Sequence, residues 1–182
     1  SGFALKPLEA LIAAKHSISC VVTQPDRPKG RGLHLESTVV KQLAQSVKLE
    51  IFQPMKINSA EAVSFLNAKK ADLFVVIAYG QILSQKVLDI PEVFCLNVHA
   101  SLLPQYRGAA PINWAIINGE NKTGISVMKM VKKMDAGPVI SQKEVLIGQQ
   151  DCAITLENKL SELSSEMLLT VLELVKTKSY QL

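Results

Sequence analysis

Aromatic residues are scarce in this sequence. They make up 5% of its 182 residues, whereas 48% are hydrophobic. The chain can bury a sizeable core, but that core must be mostly aliphatic. Cysteine is also sparse. Cys20, Cys95 and Cys152 are an odd number at wide spacing with no paired Cys-x-x-Cys. This excludes a disulfide framework or a zinc ribbon and points to a reducing compartment. No apolar run approaches the length of a membrane span, and no signal peptide is expected before the first helix. His16, His34 and His99 are scattered without ligand spacing, so no metal site is expected. There is no Gly-x-Ser-x-Gly and no glycine-rich dinucleotide fingerprint. Acidic residues are slightly outnumbered, 16 against 20 basic, for a formal charge of +4. That excess permits a polyanionic partner where the cations cluster and does not by itself identify one.

Helices and strands alternate along the chain. Residues 4–14 read as a helix starting near Pro7, with Leu8, Leu11 and Ile12 on one face. The β-branched run 18–23 reads as a strand. Residues 24–35, with two prolines, two glycines and three cations, read as an irregular loop. A helix is expected over 36–46, starting at Glu36 or Ser37, then a strand stopped by Pro54 and a helix over 59–69 capped by Ser59 or Asn58. The continuous apolar runs 72–80 and 93–99 read as strands buried on both faces of a parallel sheet. Pro111 opens a helix that Gly119 closes, and two further strands follow within 124–130 and 138–147. Leucines at helical spacing, Leu156, Leu160 and Leu163 among them, predict a long amphipathic helix over about 153–177. The alternation predicts an α/β domain, a Rossmann-like, mostly parallel sheet flanked by helices. Ligands of such sheets sit at the carboxyl ends of the strands, here Thr23–Gln24, Ala78–Gly80 and Asn97–His99.

The second buried strand ends in chemistry. Asn97 and His99 are two apart and so face the same side. Left unpaired, two buried polar side chains would cost a few kcal/mol. His moves protons near neutral pH, and Asn can donate its amide N–H to a developing oxyanion. Asp135, in a turn between two later strands, is the candidate to orient or charge the His. No nucleophile accompanies this set, so direct acyl transfer to an external amine is expected rather than a covalent intermediate.

At these residues the sequence resembles the folate-dependent formyltransferases. The resemblance rests on Asn97-x-His99, then Ser101-Leu102-Leu103-Pro104, then Tyr106-Arg107-Gly108, then Asp135-x-Gly137, and covers essentially the whole chain. It implies that Asn97, His99 and Asp135 are catalytic and that 10-formyltetrahydrofolate is the co-substrate, with no metal. Ser101, Leu102, Leu103 and Pro104 would line the folate site, with Ile82 and Leu83 as further apolar walls beside the 131–135 segment.

The segment "TQPDRPKGRG" at 23–32 is similar to the loop that meets the acceptor stem in the branch acting on initiator methionyl-tRNA. Arg27, Lys29 and Arg31 would bind the tRNA. The alternatives are an amino sugar nucleotide as acceptor, or a non-catalytic folate-binding domain. The resemblance further implies a catalytic unit over 1–178 that lacks the family's first strand, and 179–182 leading into a linker towards a C-terminal barrel domain. A monomer in the cytoplasm or an organellar matrix is expected, without membrane attachment.

Overall fold

The computed structural model describes residues 2–29 and 34–182. A 3-10 turn at Gly2–Ala4 leads into α1 (Leu5–Ala13). Strand β1 (Val21–Val22), the short strands β2 (Arg27–Lys29) and β3 (His34–Glu36), α2 (Val39–Ser46) and β4 (Ile51–Phe52) follow. Next come α3 (Ala60–Ala68), β5 (Leu73–Val76), α4 (Gln85–Leu88) and β6 (Phe94–His99). The chain continues through α5 (Pro111–Ile117), β7 (Lys122–Lys129), β8 (Val139–Leu146) and α6 (Ala153–Lys176). No helix among the described residues is long and apolar enough to cross a membrane.

The α/β class with parallel strands flanked by helices is borne out. β1 pairs in parallel with β4, and β5 in parallel with β6. β7 and β8 then extend the β5–β6 sheet with antiparallel ladders, giving the order β5-β6-β7-β8. β6 is the pivot of this sheet. All six of its residues are buried because it has a strand on each side and a packed layer on each face. Its even residues meet α6: Phe94, Leu96 and Val98 share one cluster with Leu156, Leu160, Leu168 and Val171. The α6 leucines predicted by spacing supply that layer, and truncating fully buried Leu160 to Ala would cost about 2–5 kcal/mol. Cys95, on the opposite face, packs with Leu83, Val87 and Leu88. By strand alternation Asn97 and His99 continue the Cys95 face, away from α6.

Three sequence expectations need correction. Residues 24–35 are not wholly irregular: β2 and β3 form an antiparallel ribbon with Arg27 opposite Glu36 and Lys29 opposite His34. Pro28 is tolerated there because a two-stranded ribbon has free edges that ask for no N–H. Glu36 therefore belongs to β3, and α2 starts two residues later, where the Thr38 hydroxyl accepts the Lys41 N–H at 3.1 Å. The run 72–80 is also shorter and wetter than its composition suggests. β5 covers only four residues, all half-buried, and among the described residues its ladder runs along one edge only. At α3 the open choice of cap resolves to Ser59, whose hydroxyl accepts the Ala62 N–H at 3.2 Å. Asn58 instead ties α3 to the 82–84 segment through the Ile82 carbonyl and the Ser84 N–H, each at 2.8 Å.

Two of the strand ends named from sequence are cross-linked. Gln24 Nε2 donates to the Tyr79 carbonyl at 2.8 Å. Gln53 Nε2 donates to the Gln24 carbonyl at 2.9 Å and to Asp26 at 2.8 Å. Lys41 reaches the other Asp26 oxygen at 2.5 Å. The Lys41 ammonium and the Gln53 amide hold the Asp26 carboxyl below its ordinary pKa. The ribbon is thus fixed at its base.

Candidate active site

Asn97 and His99 are 9% and 7% exposed at the carboxyl end of β6. Asp135 comes to them from the turn between β7 and β8. Asn97 Nδ2 donates to Asp135 Oδ1 at 3.2 Å, and His99 Nδ1 lies 3.7 Å from Asp135 Oδ2. The Gly108 N–H donates to that same Oδ2 at 2.7 Å. Three groups from two chain segments therefore face one carboxylate, which offers enough lone pairs for all of them.

The turn is built to deliver it. Asp135 adopts a left-handed φ of 45°, a region that a short polar side chain tolerates better than most. Two residues on, a Cβ added at Gly137 would lie 1.8 Å from the Lys129 carbonyl oxygen. Only glycine lets the turn close against the end of β7. On the other side, Gly108 has φ 89°, also in the left-handed region, where glycine meets no steric penalty.

His99 is held at its second nitrogen as well, with Nε2 2.9 Å from the Tyr106 carbonyl oxygen. The Tyr106 phenol donates to Glu120 and receives the Asn118 amide at 3.0 Å. The Tyr106-Arg107-Gly108 stretch was legible as a motif, but its contribution here is two backbone groups, the 106 carbonyl and the 108 N–H. No residue-type pattern announces those.

Ser101 and Leu103, expected at the folate site, are buried. The Ser101 hydroxyl donates to the Gln105 carbonyl at 2.6 Å, and the Ser101 carbonyl accepts from Ser126 at 2.6 Å. Gln142 holds the Leu103 carbonyl at 3.0 Å. Leu102 is half-buried and Pro104 exposed. Ile82 is 69% exposed and Leu83 buried.

A cavity of about 410 Å³ opens on the Cys95 face of β6. Leu88, Val93, Cys95, Met130, Val131 and Lys132 are among its walls, so it adjoins the predicted 131–135 segment. Its walls do not include Ile82, Leu83 or residues 101–104. Leu83 packs behind it, against Leu88 and Cys95. The wall residues Leu88, Cys95 and Met130 were not singled out from sequence, because isolated apolar residues look the same whether they line a cavity or fill a core.

Of the cations expected to meet RNA, Arg27 is exposed in β2. For Lys29 only its backbone place in β2 is described, and Arg31 lies outside the described residues. Among the described residues no group of three or more His, Cys, Asp or Glu is placed to hold a metal ion.

The formyl transferase family matches residues 3–172. The chain belongs to the formyl transferase family. Two relatives are each named methionyl-tRNA formyltransferase. One, from Alkaliphilus metalliredigens, is 48% identical over 174 residues, covering 96% of this chain and 55% of its own length. The other, from Thermotoga maritima, is 45% identical over 180 residues, covering 99% and 58%. The chain thus spans a little over half the length of these relatives. Among solved structures, a phosphoribosylglycinamide formyltransferase from Anaplasma phagocytophilum superposes with a TM-score of 0.77 at 25% identity, covering 94% of this chain and 82% of that one. A sugar N-formyltransferase from a Shewanella species gives a TM-score of 0.71 at 20% identity, covering 100% and 68%, a likeness of fold. The relatives and the solved structures thus carry names with three different acceptors. The fold alone does not choose among them.

Proposed function

We propose that this formyl transferase moves a formyl group from 10-formyltetrahydrofolate to the methionyl amine of initiator methionyl-tRNA. The observation that carries the reaction class is the single carboxylate of Asp135 facing both Asn97 and His99. In the transfer a bond forms between the amine nitrogen and the formyl carbon, and the bond from that carbon to N10 of the folate breaks. The amine loses one proton and N10 gains one. Asn97 gives one amide hydrogen to Asp135, and its second faces the oxygen on which charge develops. Protonated His99 adds a positive charge beside that oxygen. His99 with Asp135 carries the proton traffic to N10, and a water held by Asp135 is suited to accept the amine proton.

The folate co-substrate fits the residues present. The cavity lies on the same strand face as Asn97 and His99, and its size is within the range of about 300–1,000 Å³ common for small-molecule sites. Leu88, Val93, Met130 and Val131 give it apolar walls, and backbone groups of the 130–132 segment can bond a flat heterocycle's edge. The tRNA acceptor is supported by the relatives' names and by the ribbon that carries Arg27, with its base pinned by Asp26, Lys41 and Gln53. A cytoplasmic or organellar setting goes with that substrate.

The test is a choice of acceptor. The chain is incubated with 10-formyltetrahydrofolate and either charged initiator tRNA or an amino sugar nucleotide, and the formylated product is identified by mass spectrometry. Formyl-methionine on the tRNA is expected. Formylation of the sugar nucleotide alone overturns the acceptor, and folate binding without turnover on either overturns the reaction.

A further inference from the structure

The His99 ring meets a backbone acceptor at one nitrogen and faces a more distant carboxylate with the other. Nε2 lies 2.9 Å from the Tyr106 carbonyl oxygen, and Nδ1 lies 3.7 Å from an Asp135 oxygen. A carbonyl oxygen can only accept, so Nε2 carries a hydrogen in this contact. The form with its hydrogen on Nε2 satisfies this contact, and moving that hydrogen to Nδ1 would set a lone pair against the carbonyl oxygen.

The carbonyl is where it is for an identifiable reason. Tyr106 has a φ of 54°, a left-handed conformation that an aromatic residue seldom adopts. Such a conformation persists where surrounding bonds over-determine it. Here the bonds are made by the side chain. The phenol donates to the Glu120 carboxylate and accepts the Asn118 amide, both just past the end of α5. The Glu120 contact raises the Tyr106 pKa above its ordinary value, so the phenol stays a donor. The preceding residue is fixed as well, its carbonyl accepting the Ser101 hydroxyl.

We propose that Tyr106 is a positioning residue for His99. Its phenol is moored to Glu120 and Asn118, which aims the Tyr106 carbonyl at Nε2 and so sets the ring orientation and keeps a hydrogen on that nitrogen. The kinetic consequence rests on the formyl-transfer reading; the state of the ring does not, and it can be read without substrate.

The experiment is long-range proton–nitrogen NMR on the 182-residue chain labelled with ¹⁵N-histidine, at one fixed neutral pH. Wild type is compared with Tyr106→Phe and Glu120→Ala, and His99→Gln assigns the signals. In wild type, His99 should carry a hydrogen on Nε2. Tyr106→Phe removes one hydroxyl at a half-buried position, and Glu120→Ala leaves the phenol in place without its acceptor. Each should shift part of the His99 signal towards the form with its hydrogen on Nδ1 alone. Each should also lower kcat about tenfold, with KM for folate and tRNA within about twofold. An unprotonated Nε2 in wild type overturns the proposal, and so does a His99 pattern identical in the three proteins. If wild type fails to formylate any acceptor, the formyl-transfer reading falls while the spectra still decide the role of Tyr106.

Discussion

Asp135 accepts the amide N–H of Asn97 at 3.2 Å across 38 residues of chain. The bond makes the Asn97 side chain directional. With one hydrogen committed to Asp135, the amide plane is set and the other hydrogen points to a defined place. Asn97→Ala should therefore lower kcat by about 10²–10³-fold, the usual cost of removing one oxyanion donor. Steady-state formylation with a melting curve on the same sample checks it. Activity within about threefold of wild type would remove Asn97 from the mechanism.

Gly137 sets the reach of Asp135. Because a Cβ there would sit 1.8 Å from the Lys129 carbonyl, Gly137→Ala must displace the turn. The expected outcome is a large drop in activity with folate still bound in the cavity on the Cys95 face. Calorimetric titration with a stable folate analogue, beside a turnover assay, separates the two. Full activity of Gly137→Ala would mean that the turn is not what aims the carboxylate.

The basic segment at 27–31 makes a separate prediction. Replacing Arg27, Lys29 and Arg31 together by Ala should raise KM for charged tRNA and leave folate binding intact. For each phosphate no longer neutralised, the slope of log affinity against log salt should flatten by about 0.7–0.9. Affinity measured across a salt series reads this directly. An unchanged slope would favour the sugar nucleotide, which carries far fewer phosphates.

The three thiols should differ sharply in reactivity. Backbone N–H groups at the start of α6 lower the Cys152 pKa, and this residue is exposed. Burial pushes Cys20 up to about 11 and Cys95 up to about 12. Since the thiolate is the nucleophile, iodoacetamide at neutral pH should modify Cys152 first. Peptide mapping after a short exposure of the folded protein will show the order, and labelling of Cys95 ahead of Cys152 would contradict this placement.

Acid stability should depend on Asp151. The Lys159 ammonium, the Gly148 N–H and the Thr155 hydroxyl lower its pKa from 3.8 to about 2. A carboxyl depressed in the folded state contributes stability that is fully present above its unfolded pKa. That contribution disappears as pH falls through the folded value. The melting-temperature gap between wild type and Asp151→Asn should therefore be constant above about pH 5 and close between about pH 4 and pH 2. A gap that persists at about pH 2 would assign the difference to packing instead.

Sequence alone dictates the local features. The apolar run of β6 with polar residues two apart fixes which of its side chains share a face. The leucine spacing of α6 fixes the layer that covers the other face. Pro111 and Ser59 mark helix starts through their own backbone and hydroxyl chemistry. These features were legible because periodicity and capping act within a few residues. Packing of the whole chain settled the rest. It placed Asp135 against Asn97 and His99, turned β7 and β8 antiparallel, left β5 half-buried at the edge of its sheet, and paired 27–29 with 34–36 as a ribbon. It also set the Tyr106 carbonyl and the Gly108 N–H in the site. Pairing partners and register depend on segments far apart in the chain, and every residue but proline has the same backbone N–H and carbonyl. Which of those groups meets His99 or Asp135 is settled only when the chain has packed.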